Sequence, residues 1–66
     1  MKIDIETANM VKRDLERVNE RLKGKAFESV TIHLRDTGLV LEVVDPDPEV
    51  WIALEKAYGV LLVKVD

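Results

Sequence analysis

His33 is the one histidine of this 66-residue chain, and the search for chemistry begins there. An imidazole titrates near neutral pH, so it can act as base, acid or metal ligand. It stands in Ser29-Val30-Thr31-Ile32-His33-Leu34-Arg35, where polar and apolar residues alternate with the two-residue period of a strand. Asp36-Thr37-Gly38 follows as a hairpin turn, in which Gly38 can supply the positive φ of a three-residue loop. The chain returns through Leu39, Leu41 and Val43, alternating with Val40, Glu42 and Val44, and so brings Glu42 across the hairpin to His33. A catalytic role for His33 would draw on Glu42 as an orienting carboxylate, or on Arg35. A cross-strand surface pair explains the same residues without any reaction, and the expectation is that none of them is catalytic. One histidine and no cysteine also leave too few ligands for a zinc-type site.

Asp45-Pro46-Asp47-Pro48-Glu49 superficially has the spaced carboxylates of a calcium loop. Counted from Asp45, that loop requires glycine at its sixth position and a bidentate glutamate at its twelfth. The chain has Val50 and Lys56 there. Strand termination and helix capping account for all five residues: neither proline can donate to a ladder, Asp47 is a good N-cap, and Pro48 fits the first helical position. No metal and no cofactor are expected.

The side chains that remain must be placed by the elements around this hairpin. Lys2 to Glu6 alternates Ile3 and Ile5 with Lys2, Asp4 and Glu6, as in a short first strand, with Thr7 then capping a helix. Ala8, Val11, Leu15, Val18 and Leu22 form one apolar stripe along a helix of about sixteen residues, which Gly24 closes at C′. Lys12 can meet Glu16, and Arg17 can meet Glu20, on the solvated side. Phe27 is expected to plug the core beneath that helix. A second helix runs from Asp47 to about Tyr58, ended by Gly59, and Val60 to Asp66 reads as a last strand, with Leu61, Val63 and Val65 on its dry face.

Strand, helix, strand, strand, helix, strand is the order of a ferredoxin-like α+β domain. Its sheet has four strands, antiparallel in the expected reading, in spatial order 4-1-3-2, with both helices on one face. The first strand is short for a central position; without it the expectation becomes a three-stranded sheet with two helices. Residues 1–66 make a single domain, too small to hold a second core.

Composition removes several classes of function. A net charge of −3, from 13 acidic against 10 basic residues, makes no cationic field for nucleic acid. The open sheet face expected from this topology carries no aromatic residue on which a base could stack. Iron-sulfur and heavy-metal chemistry on such a fold needs cysteine, of which there is none. The loop Glu6-Thr7-Ala8 lacks the glycine of a phosphate cradle. No apolar run is long enough to span a membrane, and Met1 to Ile5 has no signal-peptide core, so a soluble cytoplasmic protein is the expectation.

One element exceeds structural need. In the second helix Val50, Ala53, Leu54 and Ala57 form the expected buried stripe, Trp51 and Tyr58 lie at its margin, and Ile52 points away. Trp51, Ile52 and Tyr58 are accordingly the candidate interface, for another protein or for a second copy of the chain, with an edge strand of the sheet as the alternative surface.

Across its whole length the chain resembles the idealised, computationally designed ferredoxin-like mini-proteins. The resemblance rests on Asp47-Pro48-Glu49 opening a helix, Gly24 and Gly59 closing helices, the compact Asp36-Thr37-Gly38 turn, regular alternation and the absence of cysteine. It implies a folded domain with no catalytic function. Asn9 and Asn19 inside a helix, the Lys25 to Glu28 connection and the exposed Ile52 depart from that pattern.

Overall fold

Asp4 decides where the first helix begins. In the computed structural model, which describes residues 4–36 and 38–66, the Asp4 side chain accepts the N–H of Thr7 at 2.8 Å. Its carbonyl takes the first helical bond, from the N–H of Ala8. Asp4, not Thr7, is therefore the N-cap, and α1 runs Ile5–Arg21. The expected first strand is corrected accordingly. Ile5 and Glu6 belong to the helix, and Lys2 and Ile3 lie outside the described residues. Five alternating residues fit a strand and a capped helix start about equally, and the cap with Glu6 in the first turn favours the helix.

The remaining elements are β1 (Ser29–Arg35), β2 (Gly38–Val44), α2 (Pro48–Tyr58), a 3₁₀ turn (Gly59–Leu61) and β3 (Leu62–Val65). Among the described residues the sheet is three-stranded and mixed, in the order β1-β2-β3. β1 and β2 form the expected hairpin, antiparallel with Ile32 opposite Leu41, whereas β3 pairs parallel to β2 with Leu62 beside Leu41. The ferredoxin-like, four-stranded antiparallel sheet of order 4-1-3-2 is thus overturned. Among the described residues it is the last strand that lies beside β2, and the α2 crossover delivers it parallel.

The same pairing turns the last strand over. Leu62 shares the face of Leu41 and joins the core at 7 % exposure, while Val63 pairs with Glu42 and Val65 with Val44 on the far face. The expectation of Leu61, Val63 and Val65 on the dry side is corrected: Val60 to Val63 is apolar on both alternating sides and fixes no facing, Leu61 lies in the 3₁₀ turn, and the register with β2 turns Leu62 inward.

The core lies between the helices and one face of the sheet. Leu15, Leu41 and Val43 are fully buried, joined by Val11, Ala26, Phe27, Val30, Leu54 and Leu62. At about 25 cal/mol per Å2 of apolar surface, each large aliphatic side chain buried here contributes about 1.5–3 kcal/mol. Phe27 plugs the core as expected, with 4 % of its surface exposed.

α1 ends one residue earlier than its glycine suggests. Lys23 at φ 57° and Gly24 at φ 78° both take left-handed backbone. The Lys23 N–H reaches the Glu20 carbonyl and the Gly24 N–H the Asn19 carbonyl, the paired bonds of a Schellman ending with Lys23 at C′. Asn19 then ties down the connection that follows. Its Oδ1 accepts from the N–H groups of Ala26 (2.9 Å) and Phe27 (3.3 Å), and its Nδ2 donates to the Phe27 carbonyl (3.1 Å). No helix among the described residues is long and apolar enough to cross a membrane.

Candidate functional site

β1 and β2 gather the polar side chains on the sheet face away from the helices. Strand register sets Glu42 opposite Thr31 and diagonal to His33, whose own partner is Val40. Glu42 Oε2 accepts from Arg35 Nη2 at 2.9 Å, and Glu42 Oε1 lies 3.5 Å from His33 Nε2. The same His33 nitrogen is 3.2 Å from the Thr31 hydroxyl. Sequence reasoning therefore brings together the right residues, His33, Glu42 and Arg35, and misses Thr31, which shares their face by simple alternation. Arg35 and His33 are about half exposed, with side chains at 50 % and 49 %. Chemically the cluster neutralises one carboxylate with a guanidinium and occupies the imidazole nitrogen with protein partners. Ion pairs this wet contribute roughly 0.2–1 kcal/mol each.

The acidic run after β2 is consumed by the backbone. Asp47 Oδ2 accepts the N–H groups of Glu49 at 3.1 Å and Val50 at 3.2 Å, capping α2 with Pro48 at its first turn. The Asp47 N–H donates to the Ala26 carbonyl, fastening the start of α2 to the loop that Asn19 holds. Asp45 takes φ 51° and donates its N–H to the Val65 carbonyl, linking the end of β2 to β3. Among the described residues no three histidine, cysteine or acidic side chains converge as a metal site.

An apolar concave feature lies between the helices. Leu54 is the buried residue of α2, but Ala53 and Ala57, expected beneath it, are exposed. The stripe is rotated: Leu54, Trp51 and Tyr58 turn to the core, and Ala53 and Ala57 turn toward α1. α1 faces them with Val18 and with Leu22, which is 43 % exposed. Between the two walls runs an open groove of about 690 Å3, with Lys25, Asp47 and Glu49 at one end. Of the sequence-expected interface, Trp51 and Tyr58 are half-buried against the core, Tyr58 also lines the groove, and Ile52 stands on the outer side of α2 at 55 % exposure. Val18, Leu22, Ala53 and Ala57 are the groove residues that sequence reasoning assigned to the core. A helical stripe records which side is apolar, not whether a neighbour covers it.

Compared with known proteins, the chain matches no family model, no curated protein and no solved structure.

Proposed function

We propose that this chain works by binding rather than by chemistry, as a small protein-interaction module. Its docking surface is the outer side of α2 together with the groove between α1 and α2. The observation that carries this reading is that α2 leaves Ile52 in solvent on its outer side and Ala53 and Ala57 in solvent along the groove that the exposed Leu22 also lines. In a domain this small, apolar side chains left over a groove are surface withheld from the core. The fitting partner is an amphipathic helix, because the groove wall from Val50 to Ala57 spans about two helical turns and offers apolar lining with charge only at its end. Nucleic acid is disfavoured by the net charge of −3.

A displayed library of amphipathic helical peptides tests the reading. Selected binders should lose at least tenfold in affinity on Ala57→Glu, with the fold intact by circular dichroism. Binders indifferent to Ala57→Glu, or none at all, would refute the groove as a docking site.

A second reading, a minimal idealised domain with no partner, draws on the polar satisfaction of the fold. Among the described residues no buried side-chain nitrogen or oxygen lacks a hydrogen bond. Such a domain would yield no binder in the same selection.

A further inference from the structure

Glu49 and Lys56 sit seven residues apart on α2, which at 100° per residue sets them on nearly the same line along the helix. Both are exposed and opposite in charge, and between them lie Ile52, large and 55 % exposed, and Ala53, small and exposed. This order is its own complement. Turned end for end about the midpoint between Ile52 and Ala53, Glu49 falls opposite Lys56 of a second copy, Lys56 falls opposite its Glu49, and Ile52 falls opposite its Ala53.

We propose that the partner is a second copy of this chain, joined by antiparallel pairing of the two α2 helices across a two-fold axis. The proposal rests on the docking role of α2 argued above and names its occupant. A two-fold contact must be self-complementary, and two identical Glu–Lys pairs flanking an Ile–Ala centre meet that condition. Alanine at the centre lets the helix backbones approach, and the exposed isoleucine supplies the apolar area. A pair of helices of this length covers less than the roughly 800 Å2 per partner of a standard interface. The dimer is accordingly weak and depends on concentration and salt.

Charge reversal in sedimentation equilibrium provides the test. The native chain should rise in mass with concentration, from the 7.5 kDa of one chain toward twice that value. Glu49→Lys alone sets lysine against Lys56 twice, and Lys56→Glu alone sets glutamate against Glu49 twice, so each variant should associate at least tenfold more weakly. An equimolar mixture of the two variants restores both opposite-charge pairs and should regain the association. Circular dichroism on each variant confirms that the monomers are folded, and the mixture keeps the test valid if Glu49→Lys lowers helix stability. A native chain that stays monomeric at millimolar concentration, or a mixture no stronger than its components, overturns the dimer. If helical peptides still bind the groove in that case, only the second-copy assignment falls; if they do not, the docking role falls with it.

Discussion

Asn19→Ala should be the most damaging polar substitution in this protein, although Asn19 belongs to no candidate site. Its amide makes three hydrogen bonds to backbone across Ala26 and Phe27, at 2.9, 3.3 and 3.1 Å. Ala26 and Phe27 are buried, so water does not readily replace the lost partner. At about 1 kcal/mol for each bond the gross loss is about 3 kcal/mol, and the better helix propensity of alanine returns about 0.6 kcal/mol. The net cost is about 2 kcal/mol, a large share of the roughly 3–10 kcal/mol that a domain of this length holds. Because the Asp47 N–H also docks on the Ala26 carbonyl, the loss reaches the start of α2 as well. Urea unfolding followed by far-UV circular dichroism should show a midpoint lower by about 2 M at unchanged slope, for a slope near 1 kcal/mol/M. The thermal midpoint should fall by about 8–16 °C. Asn9→Ala is the control, since Asn9 is exposed on the same helix and undergoes the same change of propensity. That control should be neutral or stabilising by about 0.5 kcal/mol. If the two variants differ by less than 0.5 kcal/mol, a margin of about a third of one net hydrogen bond or more, the three-bond latch is refuted.

Lys23→Gly should raise stability by about 0.5–1 kcal/mol, because a lysine at φ 57° carries a left-handed penalty that glycine escapes; an unchanged or lower denaturation midpoint would contradict the Schellman assignment. Leu62→Ala should cost about 2–4 kcal/mol and Val63→Ala clearly less, since Leu62 is in the core and Val63 is on the far face, and the reverse ranking would mean that β3 faces the other way. The Thr7 backbone N–H, aided by its side chain, holds the Asp4 carboxyl below its ordinary value. A folded value depressed below the unfolded one stabilises above the unfolded pKa and is lost as pH falls through the folded one. The first turn of α1 should therefore fray on acidification, and a carboxyl NMR titration in which Asp4 behaves like a free aspartate would contradict the cap.

The hairpin was legible because Val30, Ile32 and Leu34, returning as Leu39, Leu41 and Val43, give a long alternating signal with a glycine turn between. The start of α2 was legible because Asp47 and Pro48 each have a specific job at a helix N-terminus. Ile3-Asp4-Ile5 misled because the competing readings were decided by one hydrogen bond, from Thr7 to Asp4. Asn19 read as a departure from an idealised helix, since the loop it holds is seven and eight residues away and invisible to a helical period. On the candidate interface, the exposure of Ile52 followed from its angle alone. That of Ala53 and Ala57 did not, because it depends on how far α1 stands from α2.

The place that β3 takes also bears on where a partner can dock. β1 and β3 are the two edges of the sheet, and either could in principle accept an added strand. β3 offers only the four residues Leu62–Val65, with the exposed charge of Lys64 among them. On β1 the far face is occupied by His33 and Arg35, both engaged with Glu42 from the neighbouring strand. A short edge strand carrying charge resists strand addition, which describes β3; the longer β1 carries His33 and the charged Arg35 but also the exposed Leu34. α2 has no comparable protection: its outer line alternates one acid and one base around Ile52 and Ala53, and the groove beside it is apolar. Of the two described sheet edges β3 is thus the better guarded, and the proposed docking role of the helical layer draws on the apolar groove rather than on strand addition.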